Sequence, residues 1–376
     1  MHMADALLSP AVAGVMYAGS VAATGYSIYK VKKIDQPESV PVMGVMGAFV
    51  FAAQMINFTI PGTGSSGHLC GGMMLSAILG PEAGFLTMIG VLLIQCLLFA
   101  DGGLLALGAN IWNMAFYGCF VGGYLIWKAI MKHGMSKKKI TAASVLGCIL
   151  TLQLGAFSVT LETLASDITE LPFAAFVGVM QPIHLAIGLV EGLITAAVLV
   201  FIYEMRPELL WDGRRLRGSE CVQKGRMSAK KMLIVFLVAA GLLGGVCSLF
   251  ASELPDGLEW SMERIAGTAE PGGLAGTAEP GELAGTAEPG GLAGTAEPGE
   301  ITDTTESEQT GAVYEVSNSI QEASAILPDY SLKGNDTPVG TSLSGMLGGA
   351  VVIAFCTVLC YVLKLFRKKT GNESLE

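Results

Sequence analysis

Long apolar runs, broken only by short polar or glycine-rich interruptions, fill most of residues 11–203 and recur at 231–250 and 342–366. Their length matches the hydrocarbon thickness of a bilayer. The pattern predicts an all-α protein, a polytopic membrane helical bundle. Composition points the same way: mean hydropathy is +0.56, with 52% hydrophobic and 14% charged residues, which excludes a soluble globular chain.

The basic residues orient the bundle. None precedes the first apolar run, whereas Lys30, Lys32 and Lys33 follow it. Further clusters run from Lys128 to Lys139, from Arg206 to Lys231 and from Lys364 to Lys369, and hold every remaining Lys and Arg except Arg264 and Lys333. Under the positive-inside rule all these clusters face the cytoplasm. The N-terminus is then outside and the C-terminus inside the cell membrane. The net charge of −10 is segregated along the chain and marks no particular partner. Nothing indicates nucleic acid.

Charge parity predicts the helices. One at 11–29 runs inward and one at 41–58 returns, so the loop Thr59–Gly67 is outside. The stretch 68–101 must leave and re-enter the same face, and Leu79-Gly80-Pro81-Glu82 breaks it into a hairpin with a short first arm. Helices at 105–127, 139–163 and 173–203 complete a seven-helix unit over 1–205. A basic cytoplasmic linker (206–230) leads to a second unit at 231–366, two helices around an external segment, and to a tail at 367–376. In the external segment, Gly-Thr-Ala-Glu-Pro-Gly-x-Leu-Ala recurs from Gly267, Gly276 and Gly285, with a truncated copy at Gly294. So little apolar surface cannot offset chain entropy, and 267–300 reads as a flexible acidic spacer.

The candidate chemistry begins at Met1-His2. An N-terminal X-His unit offers the α-amine, the amide nitrogen of His2 and the δ nitrogen of its ring, joined by five- and six-membered chelate rings. One more nitrogen completes a square plane, which favours Ni(II) or Cu(II) over zinc or magnesium. No signal peptide is visible, because the basic n-region is missing, so Met1 is expected to remain. Gly67-His68-Leu69 ends a Gly/Ser-rich loop on the same membrane face. Alone, His68 reads as a satisfied interfacial histidine; beside His2 it is the fourth nitrogen. The small residues of the loop let another backbone approach, and the N-terminal pentapeptide is a candidate.

Other polar positions keep two readings. His184 and Glu191 lie seven apart on one helical face. At membrane depth they are functional candidates or a structural pair tying helices together. Asn110 and Asn113 either orient the metal histidines or pack helices through amide hydrogen bonds. Gly14, Ala18 and Ala22 form a small-xxx-small stripe, for internal packing or for docking a partner subunit. His133 reads as solvated. The eight cysteines include no C-x-x-C pair and read as small hydrophobes in apolar stretches, apart from Cys221 in the basic linker.

Met1-His2-Met3-Ala4-Asp5-Ala6-Leu7-Leu8-Ser9-Pro10, Gly67-His68-Leu69, Leu107-Gly108-Ala109-Asn110-Ile111-Trp112-Asn113 and His184-Leu185-Ala186-Ile187-Gly188 through Glu191-Gly192 resemble the CbiM/NikM family. These are substrate-binding membrane components of energy-coupling factor transporters for cobalt or nickel. The resemblance covers about 1–205 and implies a seven-helix fold with an inward-folded N-terminus. It also implies metal ligation by the amine, the amide and ring of the second residue, and a further histidine, matching Met1, His2 and His68. Met3 and Ala6 depart from the usual Ile and Gly; Asp5 is retained. Leu254-Pro255-Asp256-Gly257-Leu258-Glu259-Trp260 looks like the PDGLE domain, similar in layout to the CbiN/NikN auxiliary subunits. In that reading Asp256 and Glu259 help load metal or position the N-terminal loop, although Pro-Asp-Gly is also a turn signal.

The expectation is a fused subunit for uptake of Ni²⁺ or Co²⁺ as transported substrate. No nucleotide-binding motif is present, so the resemblance implies separate ATPase subunits and a transmembrane coupling subunit. The alternative is an ion- or proton-coupled carrier using His184 and Glu191. No nucleophile–base pair or H-E-x-x-H motif supports an enzyme.

Overall fold

In a bilayer every backbone N–H and C=O must be satisfied within its own segment, so the apolar runs fold as helices. The computed structural model describes residues 2–33, 39–169, 171–211, 227–267, 304–331 and 338–373. Met1, most of the basic linker with Cys221, and nearly all of the repeat segment lie outside the described residues. In chain order the helices are α1 (Pro10–Lys33), α2 (Ser39–Gln54), α3 (Gly72–Leu79) and α4 (Pro81–Phe99). They continue as α5 (Leu107–Met131), α6 (Lys137–Ser166), α7 (Phe173–Met205), α8 (Ala229–Gly245), α9 (Gly257–Ala266), α10 (Thr304–Ser324) and α11 (Pro338–Glu373). Strands β1 (Phe58–Ile60) and β2 (Ser65–Gly67) make a small antiparallel hairpin with Phe58 opposite Gly67.

Among the described residues six helices are long and apolar enough to cross a membrane: α1, α4, α5, α6, α7 and α11. The expected count of seven plus two would need three shorter helices besides these, α2 with 16 residues, α8 with 17 and α3 with 8. At 1.5 Å per residue α3 extends only about 12 Å. It is the short arm of the hairpin, separated from α4 by Gly80 at φ +87° and by Pro81 in the first turn of α4.

Small residues set the closest helix contacts. A Cβ at Gly192 of α7 would lie 2.7 Å from Val145 Cα of α6, and one at Gly118 of α5 would lie 2.8 Å from Gly72 Cα of α3. Backbones that approach this closely gain dispersion contact and fix helix register. Leu150, Leu154 and Leu161 of α6 and Leu185, Leu189 and Leu193 of α7 point outward. These are the lipid-facing positions of a membrane bundle. His133 is exposed, as the sequence suggests.

The C-terminal unit packs on the first. Gly244 of α8 and Gly345 of α11 cross backbone to backbone, and Gly348 lies against Phe51 of α2. The segment between α8 and α11 also carries α9 and α10, on either side of the repeats. Asp256 starts α9 with a capping box: its side chain accepts from Leu258 N and Glu259 N, and Glu259 accepts from Asp256 N. The Pro-Asp-Gly signal therefore marks a helix start.

Candidate metal centre

The first residues are built into the core. Met3, Leu7 and Leu8 are fully buried, and Asp5–Leu7 forms a single 3-10 turn. Asn110 brackets Met3 from α5: its Oδ1 accepts from Met3 N at 2.7 Å and its Nδ2 donates to Met3 O at 3.1 Å. Gly103 N donates to Met3 O, and Asp5 Oδ1 accepts from Ala106 N. Asn113 donates to Glu162 at 2.8 Å and touches Met3 Sδ at 3.8 Å. Both asparagines thus grip the residue after His2 and neither touches a histidine ring. A Cβ on Gly103 would lie 1.8 Å from Asp5 Oδ1, so nothing larger than glycine fits beneath the N-terminal loop. Gly103→Ala is expected to lift that loop and weaken metal binding about tenfold or more, measured by calorimetric titration.

This anchoring brings His2 to His68. The rings stack with centroids 5.3 Å apart and 17° between planes. His68 Nδ1 lies 3.0 Å from Leu69 O. A carbonyl only accepts, so Nδ1 carries the proton and Nε2 presents its lone pair. Asp256 Oδ2 stands 4.0 Å from that Nε2. Both side chains are largely buried, at 9% exposure for His2 and 10% for His68. Burial pushes the His68 pKa down from 6.5 to about 3, and holds that of His2 below its ordinary value despite the nearby Asp101 carboxylate. Both rings are neutral at physiological pH, the form that can ligate a metal.

The sign of the stability effect follows. Between pH 6.5 and about 3 the unfolded chain takes up a proton on His68 that the folded site refuses. Stability therefore falls as pH drops through that window. Thermal unfolding of the metal-free protein across it should be steeper with pH than that of His68→Ala.

Glu191 and His184 converge on the His68 loop from α7. Glu191 accepts from Cys70 N and Gly71 N, each at 2.9 Å. His184 Nδ1 lies 2.8 Å from Met180 O, and its buried Nε2 has no partner among the described residues. It lines a cavity of about 10 Å³ with His68, Cys70 and Asp256. The two do not serve as one another's tie: Glu191 fixes the backbone just after His68, and His184 faces the loop's underside. Among the described residues the backbone seen along the glycine-rich loop is that of the C-terminal unit. Ser66 N donates to Pro255 O and Ser66 Oγ to Leu254 O, so the C-terminal unit lies along β2.

Several residues at the site carry no sequence motif. Ser317 of α10 donates to Asp5 Oδ2 and Tyr314 donates to Leu8 O. Asp101 lies 3.1 Å from His2 Nδ1. The only advance signal for Asp101 is its place in Asp101-Gly102-Gly103, a turn. A cleft of about 810 Å³ lined by His2, His68, Asp101, Asp256 and Glu259 leads to the histidine pair. Among the described residues no three His, Cys, Asp or Glu side chains converge as a metal cluster.

Residues 2–209 match the cobalt uptake substrate-specific transmembrane region, which spans α1 to α7 and both stacked histidines. The chain belongs to this family. It is a multi-pass membrane component of a cobalt and nickel transport family. The PDGLE domain matches twice in the C-terminal unit, over 230–286 and 277–365. The chain is 32% identical to a putative fused nickel transport protein of Archaeoglobus fulgidus, over 94% of this chain and 96% of that one. A fused nickel transport protein of Rhodobacter capsulatus is 31% identical over 56% of this chain and 64% of its own length. A cobalt transport protein of Geobacter sulfurreducens is 26% identical over 71% and 78%. A crystal structure of a truncated transition metal transporter is 32% identical, with a TM-score of 0.48, and covers 54% of this chain and 98% of its own.

Proposed function

We propose that the chain captures Ni²⁺ or Co²⁺ as the substrate-binding subunit of an ATP-driven transporter, with the Met1 amine, the His2 amide and ring, and His68 as ligands. The observation that carries this reading is the buried, neutral stack of His2 on His68. Two imidazoles are half of a four-nitrogen plane. The amine and the amide complete it without a third side chain. Square-planar nitrogen ligation suits nickel. The nickel and cobalt relatives support the substrate class.

The positive clusters orient the site outward. Asp101, Asp256 and Glu259 line the cleft and make it attractive to a divalent cation. Gly14, Ala18 and Ala22 are uncovered on α1, and nothing lies within 4 Å of a Cβ built on Gly14. That stripe suits a transmembrane coupling subunit that joins this chain to cytoplasmic ATPases.

The test is calorimetric titration of purified protein with Ni²⁺, followed by competition with Co²⁺. His68→Ala is expected to weaken Ni²⁺ binding about tenfold or more. Undiminished affinity in that variant would sink the ligand assignment, and the competition ranks the two ions.

A further inference from the structure

His2 is held through the very nitrogen that a metal would need. Asp101 Oδ1 lies 3.1 Å from His2 Nδ1. A carboxylate only accepts, so the neutral ring carries its proton on Nδ1 and bares its lone pair on Nε2. That Nε2 is buried without a partner among the described residues. A chelate through the His2 amide closes a six-membered ring only through Nδ1, because Nε2 is on the far side of the imidazole. Metal and Asp101 therefore compete for one atom.

Asp101 is itself aimed. It sits between Ala100 at φ 55° and Gly102 at φ 82°, a sharp turn that points the carboxylate back at the N-terminus. Tyr330 donates its hydroxyl to Asp101 Oδ2 at 2.5 Å, and Gln95 donates to the same hydroxyl at 3.3 Å. The Tyr330 ring stacks on Phe99 with centroids 4.7 Å apart. Asp329 and Tyr330 both adopt left-handed backbone, at φ 50° and 58°. Residues with a Cβ rarely do so in succession, and such conformations persist where the surroundings over-determine them. Tyr330 belongs to the C-terminal unit, whereas Asp101 and His2 belong to the first.

We propose that Asp101, aimed by Tyr330 of the C-terminal unit, is a latch on His2 that holds Nδ1 and yields it to an incoming metal. The C-terminal unit thereby sets the rate of metal capture. The inference rests on the ligand role proposed for His2. On loading, the imidazole keeps one proton, which passes through water from Nδ1 to Nε2. Asp101 is released as a carboxylate, and the Nδ1 lone pair goes to the metal.

The test is stopped-flow absorbance of Ni²⁺ binding to the purified full chain. Tyr330→Phe keeps the ring, the Phe99 stack and the site charge, and loses only the hydroxyl, with the bond that aims Asp101 and the longer one from Gln95. It is expected to capture Ni²⁺ about three- to tenfold faster, with the absorption band of bound nickel unchanged. A merely structural loosening would slow capture or weaken binding. Unchanged or slower association overturns the latch. Asp101→Asn should likewise leave the nickel band in place; a shifted band makes Asp101 a ligand and overturns the proposal from the other side. His2→Ala separates the two levels of argument. If it binds Ni²⁺ as wild type does, the chelate itself has failed. If it loses binding while Tyr330→Phe kinetics stay unaltered, only the latch has failed.

Discussion

Two residues added ahead of Met1 are expected to lower Ni²⁺ affinity by about a hundredfold or more, with the fold intact. The extension carries the α-amine beyond the reach of a metal held by the His2 ring, and an internal amide takes its place. The chain cannot slide inward to compensate, because Met3 is pinned by Asn110 and Gly103, and Gly103 has no room to spare. One added residue is a weaker test. Histidine would then stand third, and an amine with two amides and the ring can fill a square plane without His68. Calorimetric titration reads the effect, and wild-type affinity in the two-residue extension would refute the N-terminal chelate. For the same reason, affinity tags belong at the C-terminus.

Glu191→Leu is expected to be the most damaging single change away from the histidines. The Glu191 carboxylate satisfies two buried N–H groups, on Cys70 and Gly71, next to His68. Leucine leaves both unpaired, at about 1–3 kcal/mol each. Glu191→Gln keeps one acceptor and turns a donor on the other N–H, so stability and nickel affinity should rank wild type, then Gln, then Leu. Thermal unfolding in detergent and nickel titration measure this order. A Leu variant as stable and as tight as wild type would refute the anchoring role. If Gln instead keeps stability and binding but stops transport, the proton-relay reading gains.

Much of this molecule is legible from its sequence where one physical rule dominates. Apolar run length marks the long helices, and Gly80-Pro81 marks the broken hairpin, because lipid leaves no other solution. His2, His68, Asn110 and Glu191 stand out as polar groups in apolar surroundings. Their partners could not be read in the same way. The two asparagines grip Met3, and Glu191 grips amides instead of His184, since hydrogen-bond direction depends on where backbones pass. Asp101 and Ser317 are invisible in advance for a simpler reason. They sit in polar turns or acidic stretches of ordinary composition, and only the folded chain brings them to the N-terminus.

The contact between Asp5 and Ser317 spans 312 residues, and that between Leu8 and Tyr314 spans 306. The N-terminal loop is thus locked down by a helix of the C-terminal unit. Contacts this distant form late, after most of the chain has been threaded into the bilayer. The assembled centre is then its own certificate of completion. A truncated or half-inserted subunit lacks the α10 contacts that hold its N-terminal loop closed.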